Sequence, residues 1–492
     1  MAETLKLGGR SIDKKWFALT SLAIGVFMST LDTSIVNISL PALVHDLHTD
    51  FATVQWVVIS YTMMLSSLIL IAGRLGDMYD KRKIYIGGLA LFTFGSLLCG
   101  LAPGIYWLIG FRALQGVGAM MMQAVGPAMT TEVFPAQERG RALGILGTVV
   151  SVGIAIGPPV GGILIGLAGW RSVFLVNIPI GILGLLFIPR FLPHSWPTQK
   201  NQRFDYLGAL ILFLTLGLYA LGMTLGQNAG FSANWIQGLL FAAVIGLVVF
   251  IIWERRTQYS MVDITLFNNL LFSLSLLMAF LVFNVMGSSF ILPFFLEYVK
   301  QYPAEFVGLL LMASPLLMGI VAPLAGGLSD RFGSRGISLL GLVVFVIGAF
   351  AMSTLHEGVS PLGFILRIAP TGIGLGLFQS PNNSAVMGSV PKERLGIASG
   401  LLSLSRTLGN ASGLPLMGAI FYSQARSAAS LPKGFDVASA PSYALTSGVN
   451  GTYRVAAFLV ILATLLAVLA FIINARKQRM AVLDRFTETS KH

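Results

Sequence analysis

Residues 151–162, SVGIAIGPPVGG, are matched 256 positions later by residues 407–418, TLGNASGLPLMG. The shift superposes Gly153 on Gly409, Ala155 on Ala411, Gly157 on Gly413, Pro159 on Pro415 and Gly162 on Gly418. Further upstream it superposes Gly118 on Gly374, Gln123 on Gln379, Pro135 on Pro391, Gly140 on Gly396, Ala142 on Ala398 and Gly144 on Gly400. Because glycines and prolines recur in register over about fifty positions, the chain contains an internal duplication and consists of two related halves.

Two further matches extend the duplication toward the N-terminus. Arg112 corresponds to Arg367, one position out of register. Gly73, Leu75 and Asp77 return 253 positions later as Gly326, Leu328 and Asp330. The two halves therefore match from well before residue 112 onward.

The composition is that of a membrane protein. Hydrophobic residues make up 55% of the 492 residues and charged residues 11%, with a mean hydropathy of +0.80, whereas about a quarter of residues are charged in soluble proteins. Apolar runs of roughly 20 residues, the length that crosses a bilayer as helix, follow one another along the chain. The single cysteine, Cys99, excludes a disulfide framework and a cysteine-based metal site.

The runs predict fourteen membrane spans, at 16–40, 52–75, 84–103, 105–131, 141–168, 171–192, 205–226, 234–254, 270–298, 304–328, 336–356, 359–387, 395–424 and 452–474. The predicted fold is an all-α membrane protein of two parallel six-helix repeats with two inserted helices. Its expected parts are an N-terminus (1–15), an N-terminal half (16–192), a linker with the two extra helices (193–269), a C-terminal half (270–474) and a tail (475–492).

The positive charges predict the orientation in the membrane. With the N-terminus inside, inner segments carry 23 of the 32 lysines and arginines, and outer loops carry five. The positive-inside rule then places both termini in the cytoplasm, in a multi-pass protein of the plasma membrane. The net charge of +12 is explained by this topology, so we expect no nucleic-acid partner.

The fifth span contains the most informative motif. Its glycines, four residues apart, allow close helix approach, and the paired prolines remove backbone donors and bend the helix. Helix packing alone would account for these residues. The stretch nevertheless resembles the antiporter motif of the major facilitator superfamily, in the form typical of its drug:proton antiporters. The resemblance implies a coupling hinge at Gly153, Gly157, Pro158, Pro159, Gly161 and Gly162.

Two other stretches resemble signatures of the fourteen-span drug:proton antiporter family, namely residues 31–41 (LDTSIVNISLP) in the first span and residues 108–119 (LIGFRALQGVGA) in the fourth. Residues 73–83 (GRLGDMYDKRK), at the loop between the second and third spans, resemble the loop motif shared across the superfamily. The loop motif departs from the family pattern at Met78 and Asp80, whereas its second copy, residues 330–335, keeps that pattern. The resemblance covers the whole chain and implies a cytoplasmic gate formed by Gly73, Asp77, Arg82, Asp330 and Arg331.

Asp32 and Arg112 are charged residues inside predicted spans, where a charge is costly unless it has a partner or faces a cavity. Asp32 precedes Pro41 by nine residues and Arg112 follows Gly104 by eight, so both lie roughly 12–14 Å below the outer surface. An ion pair stabilises a charged carboxylate and burial destabilises it, so exchange between the two would load and release a proton. We predict proton coupling at these residues; a static helix contact is the alternative.

Other polar or polarisable residues are candidates for a substrate cavity. They are Asn37, Tyr61, Gln115, Met122, Asn284, Arg367, Gln379 and Arg406. Arg367 is predicted at the depth of Arg112, but the first span of its half has no carboxylate there, and Asn284 is the nearest polar residue. With only Asp32 clearly available as a carboxylate, we expect neutral, zwitterionic or monocationic substrates rather than dications.

The family resemblance implies a proton-coupled antiporter that exports lipophilic or amphipathic small molecules by alternating access, as in multidrug efflux and antibiotic resistance. A lipid, peptide or metabolite carrier with a narrow endogenous substrate is the alternative. The chain has no His-Glu-x-x-His motif, so we do not expect an enzyme. We expect a monomer in the bilayer, with protons and a small-molecule substrate as partners and no metal or other cofactor.

Overall fold

The structure is a computed structural model that describes residues 4–7, 10–134, 139–192, 205–231, 233–257, 264–391, 395–430 and 437–489. Pro135 of the repeat and the 193–204 part of the predicted linker lie outside these residues. The N-terminus, predicted only as polar, forms an antiparallel hairpin of β1 (Thr4–Leu7) and β2 (Arg10–Asp13), with Thr4 opposite Asp13. The rest of the described chain is almost entirely helical.

The N-terminal half consists of α1 (Lys14–Asp46), α2 (Phe51–Met78), α3 (Lys81–Gly100), α4 (Ile105–Val133), α5 (Arg139–Ala168), the short α6 (Ser172–Leu175) and α7 (Asn177–Phe191). Acidic residues begin two of these helices. Asp50 accepts a hydrogen bond from the Thr53 amide at 2.7 Å and caps α2, and Asp80 accepts one from the Arg82 amide at 3.0 Å and caps α3. Such N-caps satisfy amides that have no partner within the helix.

Two helices without counterparts in the repeat follow, α8 (Tyr206–Ala229) and α9 (Asn234–Arg256). Asp205 caps α8 through the Gly208 amide at 2.8 Å and accepts a hydrogen bond from Trp253 Nε1, also at 2.8 Å. Because Asp205 precedes α8 and Trp253 lies on α9, this side chain ties the two inserted helices together.

The C-terminal half consists of α10 (Leu270–Met286), α11 (Ile291–Phe294), α12 (Ala304–Leu311), α13 (Ala313–Phe332), α14 (Ser334–Met352), α15 (Pro361–Met387), α16 (Leu395–Ala429) and α17 (Ser442–Thr489). The helix turns are irregular between α10 and α12, with a 3-10 turn at Gly287–Phe290 and a π turn at Phe295–Val299. The Tyr219 hydroxyl on α8 lies 2.8 Å from Ser412 Oγ on α16, so the inserted pair packs against this half.

In the described part of the chain, twelve helical segments are long and apolar enough to cross a membrane. They correspond to twelve of the fourteen predicted spans. The other two, 52–75 and 395–424, correspond to the helices α2 and α16. These helices contact each other across the two halves.

The two halves meet most closely at the end of the bundle that contains the α1–α2 connection, called here the α1–α2 end. Phe51 at the start of α2 packs on Phe294 and Phe421 of the other half, with ring centroids 4.8 and 5.4 Å apart. The Tyr298 hydroxyl donates to the Pro41 carbonyl at 3.3 Å. One continuous apolar core joins both halves at this end, whereas separate apolar clusters fill the two halves toward the opposite end. The bundle is therefore closed at the α1–α2 end.

Candidate functional site

Asp32 on α1 lies at the centre of a buried polar network in the N-terminal half. Its Oδ2 accepts a hydrogen bond from Arg112 Nη1 at 2.6 Å, and its Oδ1 accepts from Gln115 Nε2 and Asn177 Nδ2, both at 2.9 Å. All four side chains have 0% exposure. The carboxylate thus has one cationic partner and two amide donors, which together stabilise its charged form away from water.

Arg112 on α4 has additional partners that orient its guanidinium. Its Nε donates to the Val57 carbonyl on α2 at 2.9 Å, and Nη1 donates to Gln115 Oε1 at 2.6 Å. The guanidinium carbon lies 4.2 Å from the centroid of the Tyr61 ring, a cation–π contact. Arg112 therefore connects α1, α2 and α4 and compensates the charge of Asp32.

Small residues bring the helices close enough for these contacts. Arg112 and Gln115 are three residues apart and share one face of α4. A Cβ at Gly95 of α3 would lie 2.9 Å from Gln115 Cα, and a Cβ at Gly116 would lie 2.7 Å from the Tyr61 carbonyl. Glycine at both positions lets α2 and α3 pack directly on α4.

Asn177 and Ser96 are members of the network that the sequence analysis missed. Ser96 Oγ on α3 accepts a hydrogen bond from Gln115 Nε2 at 2.7 Å, and Asn177 begins α7 directly against Asp32. The sequence feature that could have identified them is an amide or a hydroxyl side chain inside an apolar span. That signal is weaker than the one from a charge, because neutral polar side chains cost less to bury in a membrane.

Three candidate cavity residues are instead buried within the N-terminal half. Gln115 and Tyr61 belong to the Asp32 network, and Met122 is fully buried beside Gly25 of α1. The face of α4 that carries Gln115 and Met122 packs on α1 and α3. Asn37, on α1, is half-buried.

The C-terminal half has no equivalent of the Asp32–Arg112 ion pair among its described residues. Arg367 hydrogen-bonds the Gly363 carbonyl of its own helix at 2.9 Å and Thr354 Oγ1 at 3.2 Å, so it does not reach the interior as Arg112 does. Asn284 is buried where α10 packs on α16, and Gln379 is half-buried on α15. Sequence repetition placed Arg367 at a similar depth but could not determine the direction of its side chain.

The predicted hinge in α5 packs against two helices. Gly157 and Gly161 face α1, because a Cβ at these positions would lie 2.6 Å from Ser34 and 2.7 Å from Ile35. Gly162 faces the other half, where its Cβ would lie 2.8 Å from Glu305 Cα on α12. Gly153 is spaced four residues before Gly157, and its Cβ would lie 3.1 Å from Thr30 of α1. The motif thus forms both the α1–α5 contact and a contact between the halves.

The Gly162 contact is reciprocal. A Cβ at Gly308 of α12 would lie 2.9 Å from Pro159 Cα and would also meet the Pro158 carbonyl. The proline pair and the glycines therefore lie where α5 crosses α12, near the closed α1–α2 end. Any movement of one half against the other must change this crossing.

At the opposite end, the predicted gate is only partly described. Arg82 donates to the Pro189 carbonyl at the end of α7. Arg331 is exposed at the end of α13. The surroundings of Gly73 and the side chains of Asp77 and Asp330 lie outside the described part of the structure. An ion pair absent from the prediction joins Lys81 Nζ to Glu132 Oε1 at 2.8 Å, between the start of α3 and the end of α4.

Replacing Arg112 with alanine is expected to lower the free energy of unfolding by about 3–5 kcal/mol, because it would leave the Asp32 carboxylate buried without its cation. Equilibrium unfolding in mixed detergent micelles measures this loss. Arg367→Ala is the matched control, since Arg367 has no ion-pair partner among the described residues and should cost far less. Equal losses in the two variants would contradict a special role of the ion pair in stability.

A bundle of two repeated helical halves, with a charged network buried in one half, defines a membrane transporter. The chain belongs to the Major Facilitator Superfamily, whose family model matches residues 22–414 and 274–485. The predicted family and fold class are thereby confirmed. Members of this family are transporters of small molecules, so the expectation that the chain is not an enzyme is also confirmed.

Two relatives and one solved structure illustrate the similarity. The riboflavin transporter RibZ of Clostridioides difficile is 35% identical over 413 residues, which cover 83% of this chain and 88% of that protein. The multidrug resistance protein Stp of Mycobacterium tuberculosis is 34% identical over 408 residues, which cover 82% of this chain and 75% of that protein. A bacterial homologue of the lysosomal transporter Spinster has the same fold, with a TM-score of 0.66 at 17% identity, covering 93% of this chain and 97% of that chain.

Proposed function

We propose that this transporter is a proton-coupled antiporter that exports lipophilic or amphipathic small molecules by alternating access. The observation that carries the proposal is the buried Asp32 carboxylate with its three donors, Arg112, Gln115 and Asn177. It is a carboxylate inside a predicted membrane span, and its three hydrogen-bond donors lie on two other helices. A carrier can use such a group to couple proton binding to a change of conformation.

The coupling follows from the position of the donors. They lie on α4 and α7, whereas Asp32 lies on α1, so a shift of α1 against these helices lengthens all three hydrogen bonds together. A carboxylate that loses these donors in a dry environment binds a proton instead. The α5 hinge packs along α1 through Gly157 and Gly161, so rocking at the contact between the halves would be transmitted to Asp32.

Orientation and direction are part of the proposal. If both termini lie in the cytoplasm, as the positive-inside rule predicts, the α1–α2 end faces outward. The closed α1–α2 end then corresponds to a conformation that faces the cytoplasm, from which an exporter loads its substrate. The antiporter-type motif in α5 and the multidrug resistance relative favour drug export across the plasma membrane. We propose that the protein acts as a monomer, with the proton gradient as its energy source and without a cofactor.

A carrier with one endogenous substrate is the second candidate. The relative named as a riboflavin transporter, at 35% identity, favours it, because that name describes a single metabolite rather than a range of drugs. Both candidates use the same fold, so only the range of transported compounds separates them.

The test is proton movement in proteoliposomes that hold a pH gradient, with compounds added one at a time. Amphipathic monocations such as ethidium, several neutral lipophilic drugs and riboflavin form the panel. Dissipation of the gradient by several unrelated compounds supports multidrug antiport. A response to riboflavin alone supports the narrow carrier, and transport of any compound without proton movement contradicts proton coupling.

A further inference from the structure

Arg406 is a charged residue well inside α16. It follows Leu395, where the helix begins, by eleven residues, which at ~1.5 Å per residue is about 16 Å along the helix. A guanidinium at this depth is costly to bury unless it has a partner or serves a ligand. Its surroundings therefore decide its role.

The protein partners of Arg406 are neutral. Its Nη2 donates to Asn383 Oδ1 on α15, and its guanidinium carbon lies 5.2 Å from the centroid of the Phe283 ring on α10. Its Nε is buried and has no hydrogen-bond partner in the described part of the chain. Within the described residues, no Asp or Glu lies within ion-pair distance of this guanidinium. The contrast is with Arg112, whose charge is compensated by Asp32.

Two of the three helices around Arg406 are the repeat counterparts of helices that carry the Asp32–Arg112 pair, α1 and α4. The helices α10, α15 and α16 of the C-terminal half correspond to α1, α4 and α5 of the N-terminal half. Transporters built from such repeats bind their substrates near the membrane midplane, at the interface of the repeats. Phe283, Asn383 and Arg406 are each half-buried, so part of each side chain is not covered by protein.

The chemistry of this group of residues suits an anionic group on an aromatic compound. A guanidinium forms its strongest hydrogen bonds with carboxylates, often through two parallel N–H donors. An aromatic ring beneath the guanidinium positions it and offers a stacking surface to a flat ligand. Asn383 adds an amide beside the same site. A neutral or cationic ligand would leave the arginine charge without compensation.

We propose that Arg406, with Asn383 and Phe283, binds a carboxylate or similar anionic group of the transported molecule. The inference rests on the proposed function in one respect, namely that the substrate is a small organic compound. Preferred substrates are then acids or zwitterions with an aromatic ring system. A dication lacks the group that compensates Arg406 and is a poor ligand for this site.

The test compares ligands that differ only in the charge of one group. Purified full-length protein in detergent, without a pH gradient, is titrated with tetramethylrhodamine, pyrenebutyric acid and naphthoic acid and with the methyl ester of each. Wild-type protein is expected to bind the acids about tenfold to a hundredfold more tightly than the esters, as for a hydrogen bond to a charged partner. Arg406→Gln should abolish this preference, while Arg406→Lys should keep part of it.

Arg367→Gln is the matched control, because it removes a positive charge from the same half, and among the described residues the partners of Arg367 are Gly363 and Thr354. It should leave the preference unchanged. Asn383→Leu gives an independent test that retains the charge, and it should weaken the preference about threefold to tenfold. The proposal is overturned if wild-type protein shows no preference in any of the three pairs, whether it binds both members or neither. It is also overturned if Arg406→Gln retains the preference or Arg367→Gln loses it equally.

Binding without a gradient separates this inference from the proposed antiport. Preference for acids without any proton movement in proteoliposomes would support the Arg406 site and contradict proton coupling. Proton-coupled export with equal binding of acids and esters would support proton coupling and contradict the Arg406 site.

Discussion

Asp32→Asn is expected to reduce substrate-driven proton movement in proteoliposomes to the level of protein-free liposomes. The asparagine side chain can still hydrogen-bond its neighbours, but it cannot bind and release a proton in the accessible pH range. The variant also leaves the buried Arg112, at 0% exposure, without its counterion. The net charge of this site then stays positive and no longer changes during the transport cycle. We expect substrate binding, measured without a gradient, to survive.

Asp46→Asn is the matched control for this variant. Asp46 ends the same helix, and its side chain is 47% exposed beside His45, so the substitution changes an aspartate of α1 without touching the buried network. Wild-type proton movement in Asp46→Asn, together with none in Asp32→Asn, would support Asp32 as the proton site. Equal proton movement in all three proteins would reduce Asp32 to a structural role.

Gly308→Val is expected to open the α1–α2 end. The added side chain cannot fit beside Pro159 Cα, where even a Cβ would lie at 2.9 Å, so α5 and α12 must separate. Overpacking of this kind costs about 1–3 kcal/mol. A cost of that size shifts the ratio of two conformations by about 5-fold to 150-fold. The fraction of molecules that are closed at the α1–α2 end should fall. Transport should fall as well, because one of the two alternating conformations is disfavoured.

Distances between spin labels at the exposed ends of α5 and α17, introduced by Leu167→Cys and Tyr443→Cys, measure this shift. The single native cysteine, Cys99, is buried and should not react with the label. Gly110→Val is the control, because a Cβ at Gly110 meets nothing within 4 Å. A distance distribution in Gly308→Val identical to that of the control would show that the α5–α12 crossing does not govern the closed end.

The sequence placed Asp32 and Arg112 at the same depth in the membrane, and the structure pairs these two residues, which are 80 positions apart. This prediction relied on one physical fact, that a charge inside a membrane needs a partner at its own depth. The same reasoning could not find Asn177, because a neutral amide carries a weaker constraint. Helical spacing alone also could not show that the face of α4 with Gln115 and Met122 packs on α1 and α3.

The sequence by itself determined the membrane class, the duplication, the positions of the helices and the family, because hydrophobic length and recurring glycines and prolines are properties of the chain alone. The tertiary structure decided which arginine has a counterion among the described residues and which does not. Arg112 and Arg367 are related by the repeat, yet only Arg112 turns inward to a carboxylate, while Arg406 lies against Phe283 and Asn383. Side-chain direction depends on how the helices are rotated against one another, and that rotation is set by packing over the whole bundle.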